Sequence, residues 1–178
     1  AYSPRTKLLY TSTDTSCSTI VAVTGEYKPG EGYNLTRGAG GATNPPRLPD
    51  GKEAGNIAGQ LQANDVISRK TVWHYDFLND NNRNPILATA SDLLFQGGND
   101  QGVFRAFDAK DGKVLWSFRT GARYKQSPIS YSFQGKQYIA IIASSAAANT
   151  AVAANARADD ANRYRRSGST LYVFKLPG

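Results

Sequence analysis

One cysteine, one histidine and no methionine leave this chain little of the chemistry that metals, thiols and nucleophilic triads require. Cys17 has no second cysteine to bridge to, so no disulfide forms within the 178 residues, and a buried, inert thiol is its expected state. With His74 as the sole imidazole there is no zinc cluster, no Cys/His pair and no basis for a Ser/His/Asp triad. No apolar run approaches the roughly 20 residues of a membrane-spanning helix. Gly38-Ala-Gly-Gly41 is glycine-rich but lacks the Lys-Ser/Thr pair and strand-to-helix setting of a phosphate loop. Acidic residues are the minority, 14 against 21 Lys and Arg, for a net charge of +7. A basic balance raises the question of nucleic acid, yet the charges are scattered singly except for Arg163 to Arg166, and no recognised nucleic-acid module accompanies them. A solvated surface is the ordinary reading, and no nucleic-acid partner is expected.

What is present is a repeat. Gly59-Gln-Leu-Gln-Ala63-Asn-Asp65-Val-Ile-Ser-Arg-Lys70-Thr-Val-Trp73 aligns without a gap on Gly102-Val-Phe-Arg-Ala106-Phe-Asp108-Ala-Lys-Asp-Gly-Lys113-Val-Leu-Trp116, at an offset of 43 residues. A period of roughly 40 to 50 residues belongs to β-propeller blades or paired-helix repeats. The residues decide for blades, because strand formers flank each Asp and each Trp closes a strand.

The second copy predicts four short strands in order: Ile86 to Ala90, Leu93 to Gly97, Val103 to Asp108 and Val114 to Arg119. Between them lie Ser, Asp, Asn and Gly clusters, which reverse the chain cheaply by tolerating positive φ or by bonding their own backbone. Four antiparallel strands in one period make a blade. The spacing Ala-x-Asp-x-x-x-Gly-x-x-x-Trp then has a physical meaning. Ala106 permits close packing, Asp108 holds the turn before Gly112, and Trp116 lays a flat indole on the neighbouring blade while its N–H seeks a carbonyl.

At 43 residues per blade, the chain has length for about four blades. Residues Ala1 to Tyr10 start on a turn and a strand and read as mid-domain sequence. After Trp116 come Pro128 to Phe133 and Lys136 to Ala143, joined by a tight hairpin at Gln134-Gly135, then Thr170 to Leu176 and no further Trp. A last blade of three strands needs its fourth from elsewhere. The stretch from Thr24 to Ala58, with Pro29, Pro45, Pro46 and Pro49 among many glycines, excludes a long helix or a central strand, and reads as a lid-like excursion over one face.

These residues carry a family resemblance. Ala106 to Trp116, Ser127-Pro-Ile-Ser-Tyr131, Gly135-Lys-Gln-Tyr-Ile-Ala140, Leu87-Ala-Thr-Ala90, Leu94-Phe-Gln-Gly97 and the closing Leu171-Tyr-Val-Phe-Lys-Leu-Pro177 resemble the C-terminal part of quinoprotein alcohol dehydrogenases. Those are periplasmic eight-bladed propellers that use pyrroloquinoline quinone with a bound calcium or lanthanide ion. The resemblance implies an all-β fold, residues 1–178 as the C-terminal fragment of one propeller domain, and an oxidoreductase taking two electrons from an alcohol. It also implies association with the remaining N-terminal blades and, as electron acceptor, cytochrome c. The family's metal-binding side chains and proton-abstracting carboxylate lie upstream of this sequence, so the fragment alone is expected to be inactive, and no catalytic or metal-binding residue is assigned.

Three cofactor-binding candidates follow from the resemblance. Asp14-Thr-Ser-Cys17 stands at the family's Asn-x-x-Cys pattern beside the quinone, which places Asp14 where that Asn belongs. Arg83-Asn84-Pro85 stands where many members have a Trp followed by small residues, so Arg83 and Asn84 face the pocket, with Arg83 suited to an anionic quinone. The plain alternative for Arg83 is a solvated residue of the Asn-rich turn 79–84. Some members have Gly-Gly-Trp after the strand equivalent to Tyr138 to Ala143, where this chain has Ser144-Ser-Ala-Ala-Ala-Asn149. The Ala-rich stretch that follows permits either a short helix or an insertion loop. A second function class stays open beside the enzyme. Trp-containing repeats also build propellers with no cofactor that serve as protein-assembly scaffolds.

Overall fold

The computed structural model describes residues 1–15, 19–22, 25–30, 36–39, 48, 51–78, 84–98, 102–120, 122–124, 126–144 and 169–176. These form strands and no helix. The strands are β1 (Tyr2–Ser3), β2 (Leu8–Asp14), β3 (Thr19–Ala22), β4 (Thr36–Ala39), β5 (Ile57–Asp65), β6 (Thr71–Leu78), β7 (Ile86–Ala88), β8 (Leu93–Gly97), β9 (Val103–Asp108), β10 (Val114–Arg119), β11 (Ile129–Phe133), β12 (Lys136–Ser144) and β13 (Ser169–Lys175). Sheet I has the order β1-β2-β5-β6, sheet II β10-β9-β8-β7 and sheet III β11-β12-β13, while β3 and β4 pair as a separate hairpin. All pairings are antiparallel.

Sheet II is the blade that the repeat predicts. Its first strand ends at Ala88 instead of Ala90 because the Thr89 hydroxyl turns back onto the backbone of Leu93, at 3.3 Å from its N–H, and starts the turn early. Sheet I is the same blade with a long excursion, residues 15–56, inserted between its second and third strands. That insertion, and residues 145–168 between β12 and β13, lengthen the spacing beyond the 43-residue period, and the described residues hold three sheets of blade form. Residues 145–168 themselves lie outside the described residues.

The turns behave as their chemistry requires. Asp108 Oδ1 accepts the Lys110 N–H at 2.8 Å, and Asp65 Oδ1 accepts those of Ile67 and Ser68 at 3.0 and 2.6 Å. Gln134 and Gly135 both have positive φ, 50° and 72°, the two-residue reversal whose twist suits a hairpin.

The two tryptophans sit at matched register, Trp73 opposite Ala63 and Trp116 opposite Ala106. Trp73 lies between sheets I and II, 9% exposed, and its indole N–H donates to the Ala109 carbonyl at 3.1 Å. Its six-membered ring rests where Gly112 has no side chain. A Cβ there would stand 2.5 Å from Cε3. Tyr10 reaches the same carbonyl with its hydroxyl at 2.9 Å, and Leu8, Leu61, Phe77, Leu94 and Phe107 complete that core. Trp116 takes the equivalent place between sheets II and III. It stands edge-on to Phe174 at 5.0 Å between ring centres, but it is 39% exposed. Arg5 grips Asp92 with two hydrogen bonds, 3.1 and 3.3 Å, and Lys110 approaches the same carboxylate at 3.3 Å, tying turns of sheets I and II together.

Candidate functional site

The last residues of β2 and β8 and the residues just before β7 meet at one rim of the seam between sheets I and II. Asn84 precedes Pro85, which biases it to the extended backbone that feeds β7. It is 5% exposed, and its Nδ2 donates to the Gly97 carbonyl at 2.5 Å. Its own carbonyl accepts from the Ser12 hydroxyl at 3.1 Å and from Gln96 Nε2 at 2.9 Å, and Gln96 Nε2 also reaches Ser12 Oγ. Gln96 Oε1 is buried and without a hydrogen-bond partner. Opposite Gln96 in the ladder, Arg105 lays its guanidinium over the Phe77 ring, 5.6 Å from the centroid.

Asp14 lies two residues beyond Ser12 on β2, on the same face of the sheet, half-buried and opposite Gly59. The structure therefore brings Asp14 and Asn84 to one rim, linked through Ser12. Arg83 adjoins Asn84 in sequence but lies outside the described residues, as does Cys17.

On the far side of Gly97 stands Tyr124, fully buried, with its N–H on the Gly98 carbonyl at 3.2 Å. A Cβ on Gly97 would fall 2.2 Å from the Tyr124 Cβ. Burial pushes the Tyr124 phenol above its ordinary value, against a smaller opposing effect of the Thr120 hydroxyl. Sequence reasoning did not single out Ser12, Gln96 or Tyr124. Gln96 did carry a signal, a lone amide inside the apolar run Leu93 to Gly97, and Ser12 follows Leu8 and Tyr10 at the alternation of a buried face. Tyr124 carried none.

A tricarboxylate quinone needs convergent donors. Here the Asn84 amide is committed to Gly97 and that of Gln96 to Ser12 and Asn84, Gln96 Oε1 is an acceptor, Asp14 is acidic, and the nearby Arg105 guanidinium is laid over the Phe77 ring. The described residues do not cradle such an anion by themselves. Among them no group of three His, Cys, Asp or Glu side chains is placed to hold a metal ion, and no helix is long and apolar enough to cross a membrane. A separate apolar groove of about 560 Å³ runs beside Trp116, lined by Phe95, Leu115, Val173 and Phe174 among others.

The comparisons with known proteins agree with this geometry. A family described as glucose/ethanol/alcohol dehydrogenase, β-propeller domain, matches residues 76–139, which include all of sheet II. A quinoprotein ethanol dehydrogenase of Pseudomonas aeruginosa is 38% identical over 124 residues, 67% of this chain and 18% of that protein. A 1-butanol dehydrogenase (cytochrome c) of Thauera butanivorans is 34% identical over 188 residues, 100% of this chain and 24% of that protein. Among solved structures, a europium-containing methanol dehydrogenase superposes with a TM-score of 0.69 at 28% identity, over 82% of this chain and 24% of that one. The chain thus spans a quarter or less of the length of these relatives. With blade-form sheets, an indole seated between two of them and identity running along the chain, the protein belongs to the quinoprotein alcohol dehydrogenases, as a stretch of their β-propeller.

Proposed function

We propose that this chain is the C-terminal part, residues 1–178, of a propeller that oxidises an alcohol to an aldehyde or ketone with pyrroloquinoline quinone and a calcium or lanthanide ion. The observation that carries the reading is the Trp73 seat on sheet II, set within sequence that matches the family over residues 76–139. When bound, the quinone supplies the two-electron acceptor. The role of this segment is positional. Asp14 and Arg83 form part of the pocket wall, and Asn84 acts as a buried anchor that fixes the connection carrying Arg83. The remaining N-terminal blades supply the catalytic carboxylates and the metal ligands. A cytochrome c as electron acceptor fits the name of the Thauera relative, and a metal fits that of the europium-containing neighbour. A periplasmic location accords with this chemistry.

Purified residues 1–178, supplied with quinone and calcium or a lanthanide, are expected to show no dye-linked alcohol oxidation, whereas the full-length parent protein turns over. Robust activity of the short chain shows that the active site has been misplaced, and failure of the parent to bind quinone favours the cofactor-free scaffold.

A further inference from the structure

Sheet II receives sheet I on a face where the inner strand β9 presents Val103, Arg105 and Phe107, each less than a tenth exposed. The 43-residue offset locates the equivalent face of sheet I, the side away from Trp73. There Val103, Arg105 and Phe107 are replaced by Gln60, Gln62 and Asn64. Their amides are knitted sideways. Gln60 Nε2 donates to Asp76 at 2.7 Å, Gln62 Nε2 to Gln60 Oε1 at 2.8 Å, and Asn64 Nδ2 to Thr11 Oγ1 at 3.2 Å. Thr71 donates to Asn64 Oδ1 at 2.8 Å, and His74 stands opposite Gln62 in the ladder.

An independent change falls at the docking seat. The counterpart of Gly112 is Arg69, which holds the same left-handed backbone, φ 58° against 75°. On sheet II the absent side chain of Gly112 is what admits the indole, since a Cβ would stand 2.5 to 2.9 Å from three ring atoms. Arg69 carries that Cβ and a guanidinium beyond it, so no indole can lie there in the same way. Both halves of the seat are thus altered together on one face.

We infer that sheet I meets its other neighbour through a polar seam that admits water and has no indole seat, and that this neighbour is a further sheet of the same protein presenting hydrogen-bonding side chains. The inference rests on the reading that the chain is part of a longer propeller. A sheet is the occupant because the equivalent face of sheet II, at the same register, already seats one. The occupant is polar because each carboxamide keeps lone pairs and protons beyond its lateral bonds, and an apolar cover would strand them, whereas polar groups and bridging waters satisfy them.

Thiol labelling of the intact parent protein tests this. In a Cys17→Ser background, Gln62→Cys and, as a second probe of the same face, His74→Cys are compared with Ala63→Cys, which points into the sealed seam with sheet II. A small neutral methanethiosulfonate is expected to modify the Gln62 and His74 variants about tenfold or more faster than the Ala63 variant, because access governs the rate. A polyethylene-glycol maleimide is expected to modify neither. Modification of both variants by both reagents means that no sheet covers the face, and protection from both means that the seam is dry. Either result overturns the inference. Dye-linked alcohol oxidation measured on the same preparations separates the two failures, since an active enzyme with an open or dry face refutes the seam and leaves the dehydrogenase reading intact.

Discussion

Replacing Gly112 by alanine tests the contact on which the arrangement of sheets I and II depends. Three costs arise at this site. The backbone has φ +75°, where a Cβ crowds the following carbonyl at about 1 kcal/mol. The new methyl would also meet Trp73 Cε3, Cζ3 and Cδ2 at 2.5, 2.7 and 2.9 Å, so the indole must shift, an overpacking of about 1–3 kcal/mol. If the ring tilts away, its N–H also loses the Ala109 carbonyl, worth about 1 kcal/mol. Together these predict a loss of about 3–5 kcal/mol in urea unfolding, with the tryptophan emission shifted to the red as Trp73 becomes wetter. Trp73→Ala alone should cost about 3–5 kcal/mol. The decisive number is the coupling. In a Trp73→Ala background, Gly112→Ala should retain only the backbone cost of about 1 kcal/mol, leaving an interaction energy of about 2–4 kcal/mol. If Gly112→Ala costs the same with and without the indole, Trp73 does not rest on that glycine and the seat has been misread.

Gly97→Ala should cost about 1–3 kcal/mol by driving a methyl into Tyr124, and because the nearest atom is the Tyr124 Cβ, which alanine keeps, Gly97→Ala should still destabilise a Tyr124→Ala background, as urea midpoints would report. Asn84→Ala strands the Gly97 carbonyl while the main-chain carbonyl of residue 84 still accepts from Ser12, an expected loss of about 1–3 kcal/mol, and in the parent protein it should weaken quinone binding as measured by cofactor titration. Hydrogen bonds from Arg5, then from Lys110, hold the Asp92 carboxyl below its ordinary value of 3.8. A carboxyl lowered in the folded state contributes stability that is present above the ordinary value and is lost as pH falls through the lowered one. Asp92→Asn should therefore lower the unfolding midpoint at pH 7, and the gap to the unaltered protein should narrow under strongly acidic conditions.

The strands of sheet II were legible because three signals coincide there. Apolar runs of strand length are bounded by turn clusters, the repeat supplies a second copy to check against, and Asp108 announces its turn through its own side chain. Trp73 was equally legible as a spacer between blades, though which carbonyl its N–H takes was not. The spacing of the strands was less so, since a fixed period cannot anticipate the long connections between β2 and β5 and between β12 and β13. The site was legible only in part. Motif position brought Asp14 and Asn84 forward together, and they share a rim, but it carries no information on where an amide points. Asn84 turned out to spend its Nδ2 on Gly97, inside the protein. Ser12 and Gln96, which complete that cluster, come from strands far apart in sequence, and no local pattern joins them.

The oxygen that anchors the indole and the phenol is a main-chain atom of residue 109. Every amino acid offers the same atom, so substitution at that position can alter bulk without ever deleting the acceptor. The two donors, Tyr10 and Trp73, are side chains and can be lost one at a time, each leaving the other in place. An assembly wired in this way can drift at its donors across a lineage while the geometry they once shared stays fixed by the backbone.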